Sequence, residues 1–247
     1  LGVFTLYASD GIKISCCLMD GRWTYYSTPF ISAVECADIQ VRNCVVTTGM
    51  ANMHANRCPR LTLEHNVFVR PMIFQGAISG GPTYVSHNIF TDNIPNKEVV
   101  PLFELTSTSS IAFNNNCFYL RAPDTKRKEK MFRFLNDEEF GDTPLTRLAT
   151  MAQYEAKAGD SHTLFTDPKF AGARKIGKPG TNGQELSYTV DAFIKSAHLL
   201  VGPADELEFS DFFATDKETV ERGIGLQPEA FKDFNSEKAE NNHKLDK

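Results

Sequence analysis

Two pairs of residues in the sequence have the chemistry of an acid–base or anion-binding site. The first pair, His54 and Arg57, lies in a long turn that precedes an apolar stretch, and long connecting turns often carry functional residues. An imidazole can act as a general base, and a guanidinium pairs with a carboxylate in two-point geometry. Such a pair could remove the C5 proton of a uronate while neutralising its carboxylate. His54 and Arg57 are therefore candidate catalytic residues for β-elimination.

Arg42 and Glu64 form the second candidate catalytic pair, and each is the fourth residue of an eight-residue repeat. If neighbouring repeats stack as paired strands, these two side chains lie within ion-pair distance of each other. The pair could clamp a sugar carboxylate beside an acid or base. It could equally be a surface salt bridge, which contributes roughly 0–1 kcal/mol to stability. Both interpretations predict that Arg42 and Glu64 are adjacent.

Two histidines and a group of aromatic residues are candidates for substrate binding. His65 and His87 hold the fifth position of neighbouring repeats, and imidazoles titrate near neutral pH, so the two could share a proton or a metal ion. A stack of surface imidazoles without such a role is the alternative. Trp23 and Tyr25 lie in another long turn, where they could form a stacking platform for a sugar ring or cover the open end of the stack.

Five eight-residue segments align without gaps along the first half of the chain. They begin at residues 12, 39, 61, 83 and 111 and read IKISCCLM, IQVRNCVV, LTLEHNVF, TYVSHNIF and IAFNNNCF. With few exceptions, positions 1 and 3 are apolar and positions 2 and 4 are polar or small, which is the alternation of a half-buried strand. A looser apolar strand precedes each segment. Short strands in units of about 22 residues are typical of a β-solenoid, whose units pair edge to edge at about 4.8 Å.

The sixth position of the repeat predicts an internal column of side chains. It reads Cys17, Cys44, Asn66, Asn88 and Asn116. A side-chain amide in an inward turn can donate to and accept from the amide above it and the backbone of its own turn. We therefore expect the three asparagines to stack in one inward column, with the two cysteines as small buried substitutes.

The pattern apolar-x-apolar-x-x-Asn-x-Phe, at a spacing of 22–28 residues, resembles the right-handed parallel β-helix repeats of the pectate-lyase-like superfamily. The segment TPLTRLATMAQYEAKAGDSHTLFTDPKF, at residues 143–170, is similar to one that follows the last coil in bacterial secreted β-helix proteins. The resemblance implies an all-β fold, a right-handed parallel β-helix of about five coils followed by a loop-rich C-terminal cap with short helices. It is unspecific for function, because this superfamily holds lyases, hydrolases, epimerases, adhesins and inert stalks.

The charge distribution divides the chain near residue 120. Residues 1–118 carry 15 charged residues, whereas the remaining 129 residues carry 42. We therefore expect parallel β-helix coils over residues 1–120 and a C-terminal cap and extension over residues 121–247.

Two short helices are expected in the charge-rich part. Pro144 opens an apolar helical pattern that Gly159 ends, which predicts a helix near residues 143–158. A capping box formed by Thr215 and Glu218 predicts a second helix near residues 215–223.

All six cysteines lie in the first half of the chain. In a secreted protein they could form disulfides, and Cys36–Cys58 is then the best-placed pair. The strand alternation instead places most of them inside the solenoid as reduced, stacked thiols. Both states are open at the level of the sequence.

Composition and missing motifs exclude several function classes. The net charge of −5 leaves no basic footprint for nucleic acid, and no apolar run is long enough for a membrane helix. Zinc-binding, phosphate-loop, dinucleotide-binding and G-x-S-x-G signatures are absent. The W-x-D-H and R-x-P-x-x-R stretches of pectate lyases and the N-x-D and G-H-G motifs of polygalacturonases are absent as well. No cofactor is expected; Ca²⁺ remains open, although no ligand cluster for it is visible in the sequence.

Two functions remain, and whether the protein is an enzyme is open between them. The first is an extracellular or periplasmic β-helix protein that interacts with polysaccharide, including as the C-terminal part of a polysaccharide lyase or glycoside hydrolase. The alternative is a non-catalytic structural or adhesion stalk, or a subunit of a larger assembly. The opening stretch LGVFTLYAS lacks the polar cap that a terminal repeat needs, so we expect an upstream segment or a partner chain to pack on the N-terminal coil.

Overall fold

The computed structural model describes residues 4–21, 31–48, 53–69, 74–78, 82–92, 103–105, 111–120, 132–134, 162–173 and 207–232. Within these residues the chain is predominantly strand. The strands are β1 (Phe4–Tyr7), β2 (Lys13–Ser15), β3 (Leu18–Gly21), β4 (Ile31–Val34), β5 (Gln40–Arg42), β6 (Val45–Thr48), β7 (Met53–Asn56), β8 (Leu61–Glu64), β9 (Val67–Val69), β10 (Phe74–Ile78), β11 (Thr83–Ser86), β12 (Ile89–Asp92), β13 (Phe103–Leu105), β14 (Ile111–Asn114), β15 (Cys117–Leu120) and β16 (Phe132–Phe134).

The paired strands run parallel, and each pairs with the strand three places along the chain. One five-stranded sheet, here the middle sheet, has the order β14-β11-β8-β5-β2, and a second, the flank sheet, has the order β15-β12-β9-β6-β3. The remaining strands form two three-stranded sheets, β1-β4-β7 and β10-β13-β16. This arrangement is compatible with a solenoid-like fold. The expectation of an all-β fold built from stacked parallel strands is confirmed.

The strand alternation sets which side chains of the middle sheet form the core. Val85 of β11 lies opposite Leu63 of β8 on one side and Phe113 of β14 on the other, and all three are buried. Successive side chains of a strand point to opposite faces, so the residues between these apolar positions face outward. Tyr84 and Ala112 are accordingly exposed.

The predicted asparagine column is confirmed. The Asn66 side-chain amide donates to Asn88 Oδ1 at 3.0 Å, and the Asn88 amide donates to Asn116 Oδ1 at 3.1 Å. All three side chains are fully buried, and each amide nitrogen also donates to a main-chain carbonyl of the neighbouring repeat. The column thus pairs buried polar groups with one another. Each such group left unpaired would lower the stability of the fold by about 1–3 kcal/mol.

Residues at the fifth position of the repeat form the corner between the middle and flank sheets, and we call them the corner column. All five have a left-handed backbone, with φ between 48° and 57°; they are Cys16, Asn43, His65, His87 and Asn115. A single left-handed residue turns the chain sharply between two strands. The turn lets the sixth residue point inward even though the fourth points outward.

The outer face of the flank sheet is apolar and covered. The C-terminal segment, defined here as residues 207–232, supplies much of the cover. The two sides form one buried cluster that includes Val45, Val67, Ile89, Cys117, Leu207, Phe212, Ile224, Leu226 and Phe231. Burial on both faces explains why each flank strand begins with two consecutive apolar residues, the first packed outward and the second inward.

Helical structure is scarce in the described part of the chain. Helix α1 spans Lys217–Glu221, and 3₁₀ turns span Phe209–Phe212 and Pro228–Phe231. No helix among the described residues is long and apolar enough to cross a membrane. The helix expected near residues 143–158 lies outside the described residues.

Helix α1 starts at a different cap from the predicted one. Asp216 is the N-cap, and its carboxylate accepts hydrogen bonds from the Thr219 main-chain N–H at 3.2 Å and hydroxyl at 3.0 Å. The Thr215 hydroxyl instead donates to the carbonyl of Lys169 at 2.5 Å. A tertiary contact therefore takes the group that the predicted capping box of Thr215 and Glu218 would have used.

The six cysteines are free thiols. Cys36, Cys44, Cys58 and Cys117 are buried, and Cys16 and Cys17 are partly buried. The structure therefore has the reduced thiols that the strand alternation predicts, most of them buried, and no Cys36–Cys58 disulfide.

Candidate functional site

The end of the middle sheet brings four of the predicted site residues together. Arg42 of β5 lies in register with Glu64 of β8, and Arg42 Nη2 forms an ion pair with Glu64 Oε2. The predicted adjacency of these two residues is confirmed. The arginine side chain is 54% exposed and the glutamate side chain 22%, so the pair lies at the surface and adjoins the corner column.

Glu64 also approaches the two histidines of the corner column. Its second oxygen, Oε1, lies 3.9 Å from His65 Nε2. The His65 and His87 rings stack with centroids 4.9 Å apart and planes inclined by 23°. They stack because the two residues share one backbone conformation and follow strands that are neighbours in the middle sheet. The predicted imidazole stack is thus present, with a carboxylate beside it.

The C-terminal segment covers His65 and determines which of its ring nitrogens carries the proton. The carbonyl oxygen of Gly225 lies 3.2 Å from His65 Nδ1, and Gln227 Nε2 lies 3.2 Å from His65 Nε2. A carbonyl can only accept, so Nδ1 donates to Gly225. In the neutral imidazole, His65 Nε2 then accepts from the Gln227 amide.

Among the described residues, His87 makes fewer hydrogen bonds to the C-terminal segment than His65 does. Its main-chain carbonyl accepts a hydrogen bond from the Gly225 N–H at 2.7 Å, but its buried Nδ1 has no hydrogen-bond partner among the described residues. Burial is the main cause that lowers the pKa of His87, and repulsion from His65 lowers it further, against an opposing effect of Glu64. The neutral imidazole is therefore favoured.

The other predicted site residues do not join this corner in the described part of the chain. Arg57 lies before β8, at the opposite end of that strand from Glu64, and pairs through Nη2 with Glu35 Oε1 at 2.7 Å. The expected position of His54 in a long turn is wrong, because its backbone lies on strand β7 in register with Ser32; its side chain lies outside the described residues. Trp23 and Tyr25 also lie outside them. The catalytic pairing of His54 with Arg57 stays a prediction.

A ladder of ion pairs joins two neighbouring repeats. Each pair links residues 22 positions apart, and the ladder consists of Glu35–Arg57, Asp38–Arg60 and Arg42–Glu64. Hydrogen bonding to Arg60 lowers the pKa of Asp38. Sequence reasoning found the third pair and missed the first two, although opposite charges at the repeat spacing were a usable signal.

The outward face of the middle sheet is a polar surface with one large aromatic side chain. Its side chains are exposed or partly exposed; they are Lys13, Ser15, Gln40, Arg42, Thr62, Glu64, Tyr84, Ser86, Ala112 and Asn114. Tyr84 is 48% exposed. Sequence reasoning did not select Tyr84 as a site residue, even though it breaks the rule that the second position of the repeat is polar or small.

Comparison with known proteins leaves the fold and the site as the basis for classification. No family model matches the chain, and neither a curated protein nor a solved structure shows significant similarity to it. The described residues form stacked parallel strands with very little helix, a carboxylate–imidazole cluster at one corner and a polar sheet face with an exposed aromatic ring beside it.

Proposed function

We propose that the protein is an extracellular or periplasmic, right-handed parallel β-helix of the pectate-lyase-like type, with about five coils and a loop-rich C-terminal cap, that binds polysaccharide. The binding surface is the outward face of the middle sheet. The observation that carries this proposal is the exposed Tyr84 ring in a row of polar side chains on that face. An aromatic ring packs on the apolar face of a sugar, while amide and charged groups bond to its hydroxyls.

The size and rigidity of the face suit an extended ligand. Five paired strands, spaced about 4.8 Å apart, give a surface roughly 19 Å long. The side chains stand on strands held by ladder hydrogen bonds rather than on loops, so little ordering entropy is lost on binding. A linear glycan that runs across the strands would contact Gln40, Thr62 and Tyr84, which are in register with one another.

The ion pairs favour binding over catalysis at this face. Arg42 and Arg57 each already pair with a carboxylate of the protein. Either guanidinium must give up that partner before it can neutralise the carboxylate of a uronate. A role as the C-terminal part of a lyase or hydrolase, with His54 and Arg57 as the catalytic pair, is therefore the less favoured form of the proposal.

The ladder of ion pairs favours a second candidate, a non-catalytic structural or adhesion stalk. Surface ion pairs between neighbouring repeats stabilise a stack without requiring any ligand. Each exposed pair contributes roughly 0–1 kcal/mol. The two candidates differ in what they predict for Tyr84: a stalk gives no reason for its replacement to change glycan retention.

Affinity electrophoresis in gels that contain pectin, alginate, glycosaminoglycan or a neutral glucan separates these candidates. We expect retention by at least one polymer, and we expect Tyr84→Ala to weaken it roughly fivefold to tenfold, the size of a lost aromatic contact. Tyr7→Ala is the matched control, because Tyr7 is 69% exposed and lies on β1, outside the middle sheet.

Two other outcomes would change the proposed function. Absence of retention by every polymer would replace the binding proposal with the stalk. Formation of an ultraviolet-absorbing unsaturated product would instead support the lyase form, provided that His54→Ala lowers the rate of its formation about a hundredfold.

A further inference from the structure

We propose that Glu64, His65 and His87 bind one divalent transition-metal ion at the corner between the middle and flank sheets. This site goes beyond the proposed polysaccharide binding and does not depend on it. One ligand atom from each residue lies within 4.8 Å of the others. Two imidazoles and a carboxylate form a donor set that zinc and related ions use in proteins.

Side-chain rotation must bring the three ligand atoms, which lie within 4.8 Å of one another, closer together around an ion. Zinc–nitrogen and zinc–oxygen distances of about 2.0–2.2 Å place tetrahedral ligand atoms about 3.4 Å apart. His65 Nε2 and Glu64 Oε1 are 3.9 Å apart, close to that value. The backbone is already held, because the His65 N–H donates to Ser86 at 3.2 Å and the His87 N–H donates to Asn114 at 3.1 Å.

Neighbouring groups orient two of the three ligands. Gly225 accepts the Nδ1 proton of His65 and so leaves the Nε2 lone pair available, while Arg42 holds Oε2 of Glu64 and leaves Oε1 towards His65. Outer contacts of this kind to a carbonyl and to a charged side chain typically fix metal-bound histidines and carboxylates. The Gln227 amide, which now donates to His65 Nε2, must turn aside when an ion binds.

The third ligand has an unmet hydrogen-bonding requirement. His87 Nδ1 is buried, and among the described residues it has no partner. Buried polar atoms in folded proteins are nearly always paired, so such an atom calls for an explanation. An ion coordinated by Nδ1 would supply the missing partner.

The donor set also indicates which ions fit. Imidazole nitrogen favours Zn²⁺, Co²⁺, Ni²⁺ and Cu²⁺, whereas Ca²⁺ and Mg²⁺ prefer sites made of oxygen. The side chains of His65 and Glu64 are 13% and 22% exposed, so solvent reaches the cluster. A water molecule can then complete the coordination of an ion held by three protein ligands.

Titration of the metal-stripped full-length chain tests the site. Zinc binding is measured by calorimetry and cobalt binding by visible absorption, in a Cys16→Ser/Cys17→Ser background, because those two thiols are only partly buried and could bind zinc themselves. We expect one ion per chain and cobalt bands of tetrahedral type without thiolate charge transfer. Glu64→Gln and His87→Gln should each weaken binding at least tenfold. His162→Gln is the control, since that histidine is exposed and outside the cluster.

Three results would overturn the proposal: no saturable binding of zinc, cobalt or nickel; thiolate charge-transfer bands from the bound cobalt; or affinity that Glu64→Gln and His87→Gln leave unchanged. Circular dichroism checks that the variants are folded. Should His87→Gln fail to fold, Glu64→Gln at its partly exposed position decides the question. The titration contains no glycan, so its outcome and that of the polysaccharide experiment are read separately.

Discussion

At the scale of single residues, buried polar side chains hold neighbouring repeats in register. Asn88 accepts hydrogen bonds from the main chain and the side chain of Asn66 and donates to Leu63, Ser86 and Asn116. An aliphatic residue of similar size would fill the space without pairing these groups. The column therefore specifies the stacking of repeats in a way that apolar burial, which is non-directional, does not.

Replacing Asn88 by alanine should destabilise the protein strongly. The Asn66 N–H loses its acceptor and the Leu63 carbonyl loses a donor, and each unpaired buried group costs about 1–3 kcal/mol, so we expect a loss of about 2–5 kcal/mol in the free energy of unfolding. Urea denaturation measures it. Asn114→Ala removes the same side chain from an exposed strand end and should change stability by less than about 0.5 kcal/mol. Equal losses in the two variants would contradict the role of the column.

The buried thiols make stability sensitive to alkaline pH. Burial raises the pKa of Cys44 and of Cys117 from 9.0 to about 12. A raised folded-state pKa contributes stability that is fully present below about pH 9 and is lost as the pH rises towards about 12. Relative to a Cys44→Ala/Cys117→Ala variant, the wild type should lose up to about 2 kcal/mol per thiol between about pH 8 and about pH 10.5. Denaturation curves across that range measure the difference, and a constant difference would refute the prediction.

At the scale of elements, one left-handed residue per repeat separates the middle and flank strands. The corner column includes two asparagines and two histidines, residue types that are enriched in this conformation, and one cysteine, which adopts it less readily. The surrounding ladder hydrogen bonds must offset that local strain.

Substitutions at Asn115, where φ is 48°, should follow backbone preference. We expect Asn115→Val to lower the free energy of unfolding by about 1–2 kcal/mol, because a β-branched side chain is disfavoured in the left-handed region, and Asn115→Gly to be tolerated. Thermal unfolding measures both. Asn114→Val, in the extended strand β14, is the matched control and should be nearly neutral. If Asn115→Val were as stable as Asn115→Gly, the corner would not be constrained as described.

At the scale of the whole molecule, two apolar clusters share the flank sheet. Phe68, Phe90 and Phe118 stack inside, with centroids 5.0–5.2 Å apart, whereas Val67 and Ile89 pack outward under the C-terminal segment. The segment therefore stabilises the sheet from outside and also completes the corner that contains His65. Detaching it would expose a contiguous apolar surface, which promotes association.

Gly225→Ala should weaken the packing of the C-terminal segment. Gly225 has a φ of 94°, and a Cβ there would approach Ile89 Cδ1 to 2.6 Å. We expect a loss of about 2–4 kcal/mol from strain and overpacking, with increased binding of a hydrophobic dye. Gly223→Ala is the control: its φ of 63° is also positive but no atom lies within 4 Å, so about 1 kcal/mol of backbone strain is expected. Similar effects of the two substitutions would show that Gly225 is not a close-contact position.

Much of the fold and part of the site followed from the sequence because the repeat spacing places equivalent positions side by side. Alternation predicted the inward and outward side chains, and the 22-residue spacing predicted that Arg42 meets Glu64 and that His65 meets His87. These are contacts between neighbouring units of a stack, in which register follows from the sequence itself.

Contacts made by distant segments required the tertiary structure. His65 meets Gly225 and Gln227 across 160 and 162 residues, and no local pattern in the chain reports such a contact. The Thr215 hydroxyl likewise bonds to Lys169 rather than capping α1. The tertiary structure was also needed to show that the outer face of the flank sheet is buried, because burial depends on which other segment packs on that face and not on the strand alone. Periodicity therefore determined the stack, and the three-dimensional packing of the C-terminal segment determined how its corner is enclosed.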